Sequence, residues 1–493
     1  MPLTLSNREQ NSGYLFYVRR LSAAVTRFSV RMRHDDRRQR AAVLASIAIT
    51  VVLCLLMVLI RLFKPAGMVG ESAIIANRDT GAVYVLVAGR LYPAFNLTSA
   101  RLVTGSPATP KMVSAAEIAK YPTGPRVGIA DAPPSEMSVT GGGVSAWAAC
   151  DTAPSRRSGG GPASVTVIAG RLGGGAPALA DGHAVLVSHA GSSFVVWGHQ
   201  RSRVDLAERA VTVSLGLDPG VVAPVPISNA LFDALPATEP IVVPVVPDAG
   251  AESPWPGLGG ARVGSVIEVR DTGSGEAKFY AVLMKGLQPV SGLTAGLLRT
   301  ANSYGDATMR VLGPDKIVSI PQVDVLNVGF YPKSALTFVD AEANPVTCVG
   351  WEKGRGDRQA QVVVHSGRGL PLPGSVKPIH LVRDDRDPSS VEATDAVVLA
   401  DAANLAAVTS SAEASDTRES LWWISPQGVR YGISTEGQTL QALGVDPKLA
   451  VQAPWAIVRM FAQGPLLSKQ NAMSLRDTVF GGQVGSLPRQ PGS

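Results

Sequence analysis

Residues Ala41 to Ile60 read AAVLASIAITVVLCLLMVLI, an apolar run of 20 residues without a charge. A helix of that length rises about 30 Å, the thickness of a bilayer's hydrocarbon layer, whereas a buried core helix or a signal-peptide h-region is usually shorter. The run reads as one transmembrane helix. Arg61, Phe63 and Lys64 follow it directly, with no small-residue cleavage site, so the helix is expected to persist as an uncleaved anchor. The 40 residues before it form a basic arm, and more than 400 residues follow as cargo on one side of a membrane.

Charge orients the anchor. The arm holds nine arginines, Arg8 to Arg40, against Glu9, Asp35 and Asp36, a net +6 equal to that of the entire chain. Everything from Ala41 onward is therefore neutral, with 36 residues of each sign. A nucleic-acid-binding domain would spread its positive charge over a folded surface. Charge stacked beside the apolar run instead follows the positive-inside rule, which keeps the arm cytoplasmic and exports the rest.

Within the arm, Leu15, Val18, Leu21, Val25, Phe28 and Met32 recur at steps of three or four, with Arg19, Arg20, Arg27 and Arg31 between them. This is the spacing of an amphipathic helix. Spacing alone leaves open whether its apolar face meets lipid or a partner protein.

The exported part has a β-rich texture. Runs such as AVYVLV, SVTVIAG, HAVLVS, SFVVWG, RVGSVIEVR and QVVVHS are punctuated by Gly, Pro, Asn and Asp, and short helices are expected near 115–120, 228–235 and 455–461. The fold class is α+β. The chain also repeats: Tyr84, Leu91, Pro93, Leu97, Thr98 and Leu102 return as Tyr280, Leu287, Pro289, Leu293, Thr294 and Leu298, all displaced by 196 positions. A second unit pairs Arg203, Leu215–Pro219 and Pro226 with Arg430, Leu443–Pro447 and Pro454 at shifts of 227 to 228. The order A, B, A′, B′ predicts a body of four small units with pseudo-two-fold symmetry, each burying its apolar face on neighbours.

Cysteine usage fits that symmetry. Cys54 lies in the membrane run, where a small apolar role is expected. Cys150 and Cys348 are 198 residues apart, close to the A-to-A′ shift, and in an oxidising compartment read as one disulfide between the halves. In the chain-entropy account a loop of that length is worth about 4 to 5 kcal/mol.

The catalytic signatures sought are missing. No lysine follows a glycine, so the phosphate cradle G-x-x-x-x-G-K-[ST] cannot form, and G-x-S-x-G, H-E-x-x-H and C-x-x-C do not occur. The runs Gly141–Gly143, Gly159–Gly161 and Gly173–Gly175 read as flexible loops. His183 and His189 lack the companions of a metal or catalytic pair. Trp422 and Trp423, adjacent on a strand, should send one ring to each face, with at least one packed in the core. No catalytic, cofactor-binding or metal residue is assigned.

The arm Gln10–Tyr14, Arg19-Arg20-Leu21 and Arg31–Asp35, then one membrane helix, then Gly81–Tyr84 and Leu91–Leu102, resembles the EccB family, a core membrane component of mycobacterial type VII (ESX) secretion systems. The resemblance covers nearly the whole chain, the two exported cysteines included. It implies a periplasmic body of four repeats around a central domain, an inner-membrane location, and a complex with the EccC motor, EccD, EccE and the mycosin protease. The expected organisation is arm 1–40, transmembrane helix 41–60, linker 61–75, body 76–484 and flexible tail 485–493. Its repeats are expected near 80–130, 190–245, 276–330 and 418–470, and its central domain in 131–185 and 335–410. The expected role is that of a non-enzymatic structural subunit that self-associates in the periplasm to help form the export channel or chamber. An ATP-hydrolysing or cell-wall-binding accessory subunit is the alternative. Tyr14, Leu15, Val18, Arg19 and Arg20 are the expected partner-binding residues, with lipid contacts beside them and no nucleic acid.

Topology is directly testable. A cysteine introduced at Ser12 should resist impermeant thiol reagents in intact spheroplasts while one at Gly250 is labelled; the opposite pattern inverts the orientation.

Overall fold

A computed structural model of the chain describes residues 8–28, 33–63, 69–70, 72–134, 137–140, 144–154, 164–270, 273, 275–374, 376–382 and 390–477. The runs Gly141–Gly143 and Gly159–Gly161 and the tail 485–493 lie outside the described residues.

Two helices precede the body. Helix α1 spans Arg8–Arg27 and α2 spans Arg33–Phe63, with the 23-residue candidate membrane span Arg37–Leu59 inside α2 and none of it buried in the chain. Within the span Ser46 donates to the Val43 carbonyl and Thr50 to the Ser46 carbonyl, both at 2.8 Å, so their hydroxyls are satisfied inside the helix. The arm helix is shorter than its sequence pattern suggests. It ends at Arg27, where Phe28 turns out of the helix with φ of +48°, and Met32 lies outside the described residues.

The body is built from one unit used four times. The first copy runs through strands Ile74–Asn77, Val83–Val87 and Arg90–Pro93, helix α3 (Leu97–Thr104) and strand Lys111–Val113, with the short helix α4 (Ala115–Ile118) after it. The second has His183–His189, Ser192–Trp197, Gln200–Val204, α5 (Arg209–Leu215) and Val225–Pro226, then α6 (Asn229–Ala234). The third has Val266–Arg270, Ala277–Leu283, Gly286–Val290, α7 (Gly292–Ala301) and Arg310–Leu312. The fourth has Leu405–Thr409, Leu421–Ile424, Val429–Ile433, α8 (Thr439–Leu443) and Val451–Pro454, then α9 (Trp455–Val458). In every copy the first three strands are antiparallel and the fourth returns parallel to the first, giving the spatial order third, second, first, fourth. In every copy a downstream segment then pairs parallel with the third strand, at Leu91–Thr123, Arg201–Ala237, Leu287–Gln322 and Arg430–Gln463.

A and B are therefore the same topology, although residue identities match only within each pair. All four starting boundaries also move. Each expected repeat range begins at its second strand, because the residue identities that mark the repeats begin there or beyond. His183–His189 and Leu405–Thr409, assigned wholly or partly to the central domain, are the first strands of the second and fourth units. The Arg203–Arg430 match is displaced as well. Strand register sets Arg201 opposite Val196 and Arg430 opposite Ile424, so Arg201 is the counterpart of Arg430.

These interior strands are walls between two cores. Along His183–His189, Ala184 and Leu186 face the core shared with the third unit, while Val185 and Val187 face the central core. Leu405 and Ala407 likewise face the core shared with the first unit, and Ala406 and Val408 the central one. Burial on both faces gives a continuous apolar run without alternation. Helix pairing follows the same scheme, with α5 on α7 and α3 on α8. Gly296 permits the first approach, since a Cβ there would stand 3.2 Å from the Ser214 hydroxyl oxygen.

Joining the halves is a six-stranded sheet whose middle pair is Val144–Thr152 and Val346–Gly354, flanked by Ser164–Ala169 and Gln361–Gly367, with Asp395–Val398 and Ile379–His380 beyond. Cys150 lies directly opposite Cys348 in this antiparallel pair, and the two are joined by a disulfide. Trp147 pairs with Trp351 three residues away, and its ring meets Phe461 edge-on at 6.2 Å. The Gly173–Gly175 run is packed rather than loose. Gly173 donates to the Pro371 carbonyl at 3.0 Å, and a Cβ on Gly175 would collide with the Leu370 carbonyl oxygen.

Both cysteines are 0% exposed, so in folded protein treated with reductant they should escape alkylation, then both react after denaturation; a non-reducing peptide map should show one Cys150–Cys348 cross-link. Two glycines separate strain from packing. Gly182 has φ of +73° with nothing near its missing Cβ, so Gly182→Ala should cost about 1 kcal/mol. Gly175→Ala adds a backbone collision to φ of +61° and should cost at least about 2 kcal/mol, read as a larger fall in the urea midpoint of the full-length protein.

Candidate functional site

The arm carries a large apolar surface, exposed with respect to the described residues. On α1, Tyr14, Leu15, Val18, Leu21 and Val25 are all exposed, Tyr14 at 67% and Val25 at 70%. At 100° per residue Tyr14, Val18, Leu21 and Val25 share one face, while Arg19 and Arg20 occupy the opposite one. Sequence periodicity missed two members. Tyr17 widens the apolar face and Phe16 falls among the arginines, both more than half exposed. Their signal was the bulky cluster Tyr14–Val18 itself. A ring set among guanidinium groups suits the boundary between lipid headgroups and acyl chains, and a wider apolar face suits a protein groove.

The body's conspicuous polar features are consumed by its own joints. Arg201 donates to the Phe232 carbonyl at 3.0 Å and lies 3.6 Å over the Phe232 ring, with Phe194 beyond at 5.7 Å. Arg430, its counterpart, donates to the Phe461 carbonyl at 2.9 Å between Trp422 and Trp455, at 5.1 and 5.4 Å. Burial lowers the pKa of both guanidinium groups; nearby Asp233 opposes the shift at Arg201 and Glu392 does so at Arg430. An arginine still remains charged at neutral pH, so each acts as a permanent cation between aromatic faces. Helices α6 and α9, which carry Phe232 and Trp455, meet under the central sheet, where Asp233 and Arg459 form an ion pair.

The other singled-out residues are placed in the same way. Trp423 is 4% exposed in the core shared with the first unit, whereas Trp422 packs toward the central core. His189 lies 2.9 Å from the Asn229 side-chain oxygen and stacks on Phe232 at 3.8 Å. His183 contacts the Asp181 carbonyl at 3.3 Å. Among the described residues no group of three His, Cys, Asp or Glu side chains is placed to hold a metal ion. The structure brings Cys150 and Cys348 together, and it leaves Tyr14, Leu15, Val18, Arg19 and Arg20 on the free arm.

Known proteins match this architecture from end to end. The family model described as "Type VII secretion system ESX-1, transport TM domain B" matches residues 3–480. The ESX-2 secretion system ATPase EccB2 of Mycobacterium tuberculosis is 55% identical over 483 residues, covering 97% of each chain. The ESX-3 secretion system ATPase EccB3 of Mycolicibacterium smegmatis is 39% identical over 485 residues, 96% of this chain and 91% of that one. Among solved structures, a chain of the intact ESX-5 inner membrane complex aligns with a TM-score of 0.76 at 37% identity, covering 99% of this chain and 98% of that one. The EccB3 dimer of the ESX-3 core complex aligns at 0.71 with 35% identity, covering 82% of this chain and all of that one. With basic arm, apolar span and four-unit body all accounted for, the chain belongs to the EccB family of type VII secretion systems.

Proposed function

We propose that this chain is a structural subunit of a type VII secretion membrane complex. Its arm docks on cytoplasmic partners, its single helix anchors it in the inner membrane, and its periplasmic body self-associates to help shape the export channel or chamber. The observation that carries this reading is the distribution of apolar surface: the body's repeats bury their faces on one another, while the arm's face, Tyr14 to Val25, has no partner among the described residues of its own chain. The resemblance to EccB proteins supplies the candidate partners: EccC, EccD, EccE and the mycosin protease. Support for self-association comes from the dimer of the EccB3 relative and from exposed valines on the body, including Val245 at 89% and Val318 at 83%. Tethering lowers the affinity such contacts need, because a shared membrane raises effective concentration.

The second reading is ATP hydrolysis, which the names of the EccB2 and EccB3 relatives carry. It would require a phosphate cradle other than the glycine–lysine loop, since no lysine follows a glycine.

The test compares three forms in cells lacking the chain: full length, residues 1–70 alone, and full length carrying Leu15→Asp and Val18→Asp. The full chain should restore export. The 1–70 form should not, and the arm variant should insert normally yet recover at least tenfold less EccC or EccD on purification. Full export from the 1–70 form, or ATP hydrolysis by the purified chain that survives removal of contaminating ATPases, overturns the scaffold reading.

A further inference from the structure

We propose that the body carries an anion site for phosphoryl groups at the open end of its central strand pair, where the Val346–Gly354 strand turns toward Gln361–Gly367. A cleft of 560 Å³ lies there, bounded by the turn, by the 414–418 segment and by the start of the Val451–Pro454 strand. Its volume falls in the ordinary range of small-ligand sites, about 300 to 1,000 Å³.

Charge and burial both indicate what it takes. Lys353 lines the cleft and is only 7% exposed. Its ammonium has three donors, and one is used, by the Ser415 carbonyl at 2.9 Å. No carboxylate pairs with it among the described residues. Burying an ammonium with a single neutral acceptor is costly, and an anion in the cleft would relieve that cost. Arg355 and Arg358, on the turn, are exposed and have no hydrogen-bond or ion-pair partner among the described residues. Arg418, on the opposite wall, donates to the Ala450 carbonyl at 3.1 Å.

Against these four cations stand Asp357 and Asp416, and Asp357 is engaged by the Gly354 amide at 2.9 Å. The lining therefore carries a net charge of about +2, although the chain from Ala41 onward is neutral as a whole. Two free guanidinium forks and an underused ammonium match a group with several anionic oxygens, since each fork can take two oxygens of one phosphoryl unit. A pyrophosphate or a phosphodiester fits that demand better than a single carboxylate. Gly354 and Gly356 flank Arg355, and Gly356 takes φ of +95° with open space where a Cβ would be, so the backbone leaves the ligand room to approach.

The test is calorimetric titration of the full-length protein in nonionic detergent at low salt. Sodium pyrophosphate is the first probe, short-chain phosphatidate below its micelle concentration the second, and citrate the control. Pyrophosphate should bind once per chain and weaken as salt rises. The double variant Arg355→Gln/Arg358→Gln changes only exposed side chains and should raise the pyrophosphate Kd at least tenfold; Lys353→Met should do the same if it folds. Binding of pyrophosphate alone assigns the site to soluble phosphoryl compounds, and binding of phosphatidate as well admits lipid headgroups. No uptake of either phosphoryl probe, citrate bound as tightly, or an unchanged Kd in the double variant overturns the proposal.

Discussion

The antiparallel pair Val144–Thr152 and Val346–Gly354 is the constraint on which the rest of the body depends. It joins residues about 200 apart in sequence, and closing a loop of that length carries a large entropic cost that the pair must offset. Trp147, Ala149, Val349 and Trp351 do so by burying one face of the pair in the central core. The other face buries Cys150 and Cys348 with Ala148 and Ile168, and the disulfide removes much of the same entropy from the unfolded chain. An antiparallel pair also carries a local two-fold axis, which is the symmetry the four units follow around it.

Once that pair is set, the units have little freedom. The second and fourth present their interior strands as walls with a core on each side, so each must contact the central sheet and one further unit at once. Chain order then gives α5 on α7 and α3 on α8, so neighbours in sequence pair in one half and chain-distant units pair in the other. The half-buried Arg201 and the buried Arg430 lock the two joints. Each spans from the third strand of its unit to the segment beneath, through a carbonyl bond and aromatic faces that need no counter-charge. Asp233 and Arg459 tie those joints together across the axis.

This arrangement separates what is used up from what is free. Strongly polar or aromatic residues that catch the eye in the body, such as His189, Trp422 and Trp423, are spent on packing. Surfaces with unused capacity lie elsewhere, on the apolar face of α1 and in the basic cleft beside Lys353. One is cytoplasmic and one periplasmic in the proposed orientation, which suits a subunit that bridges two compartments.

Much of this was legible in the residues alone. An apolar run of bilayer length and repeated identities at one offset are local or periodic signals, and they specified the candidate membrane span and the paired units. The pairing of Cys150 with Cys348 was legible too, because only two cysteines follow the membrane run. Tertiary structure alone decided that A and B are one topology, since alternation and turns can be satisfied by many residues and leave no common identities. It also decided where each unit begins, because the interior strand is buried on both faces and shows no period. The Lys353 cleft was invisible for a related reason: Lys353, Arg355 and Arg358 fall within six residues, but the burial of Lys353 and the opposite wall with Arg418, some 60 residues on, are set by the fold rather than by any spacing along the chain.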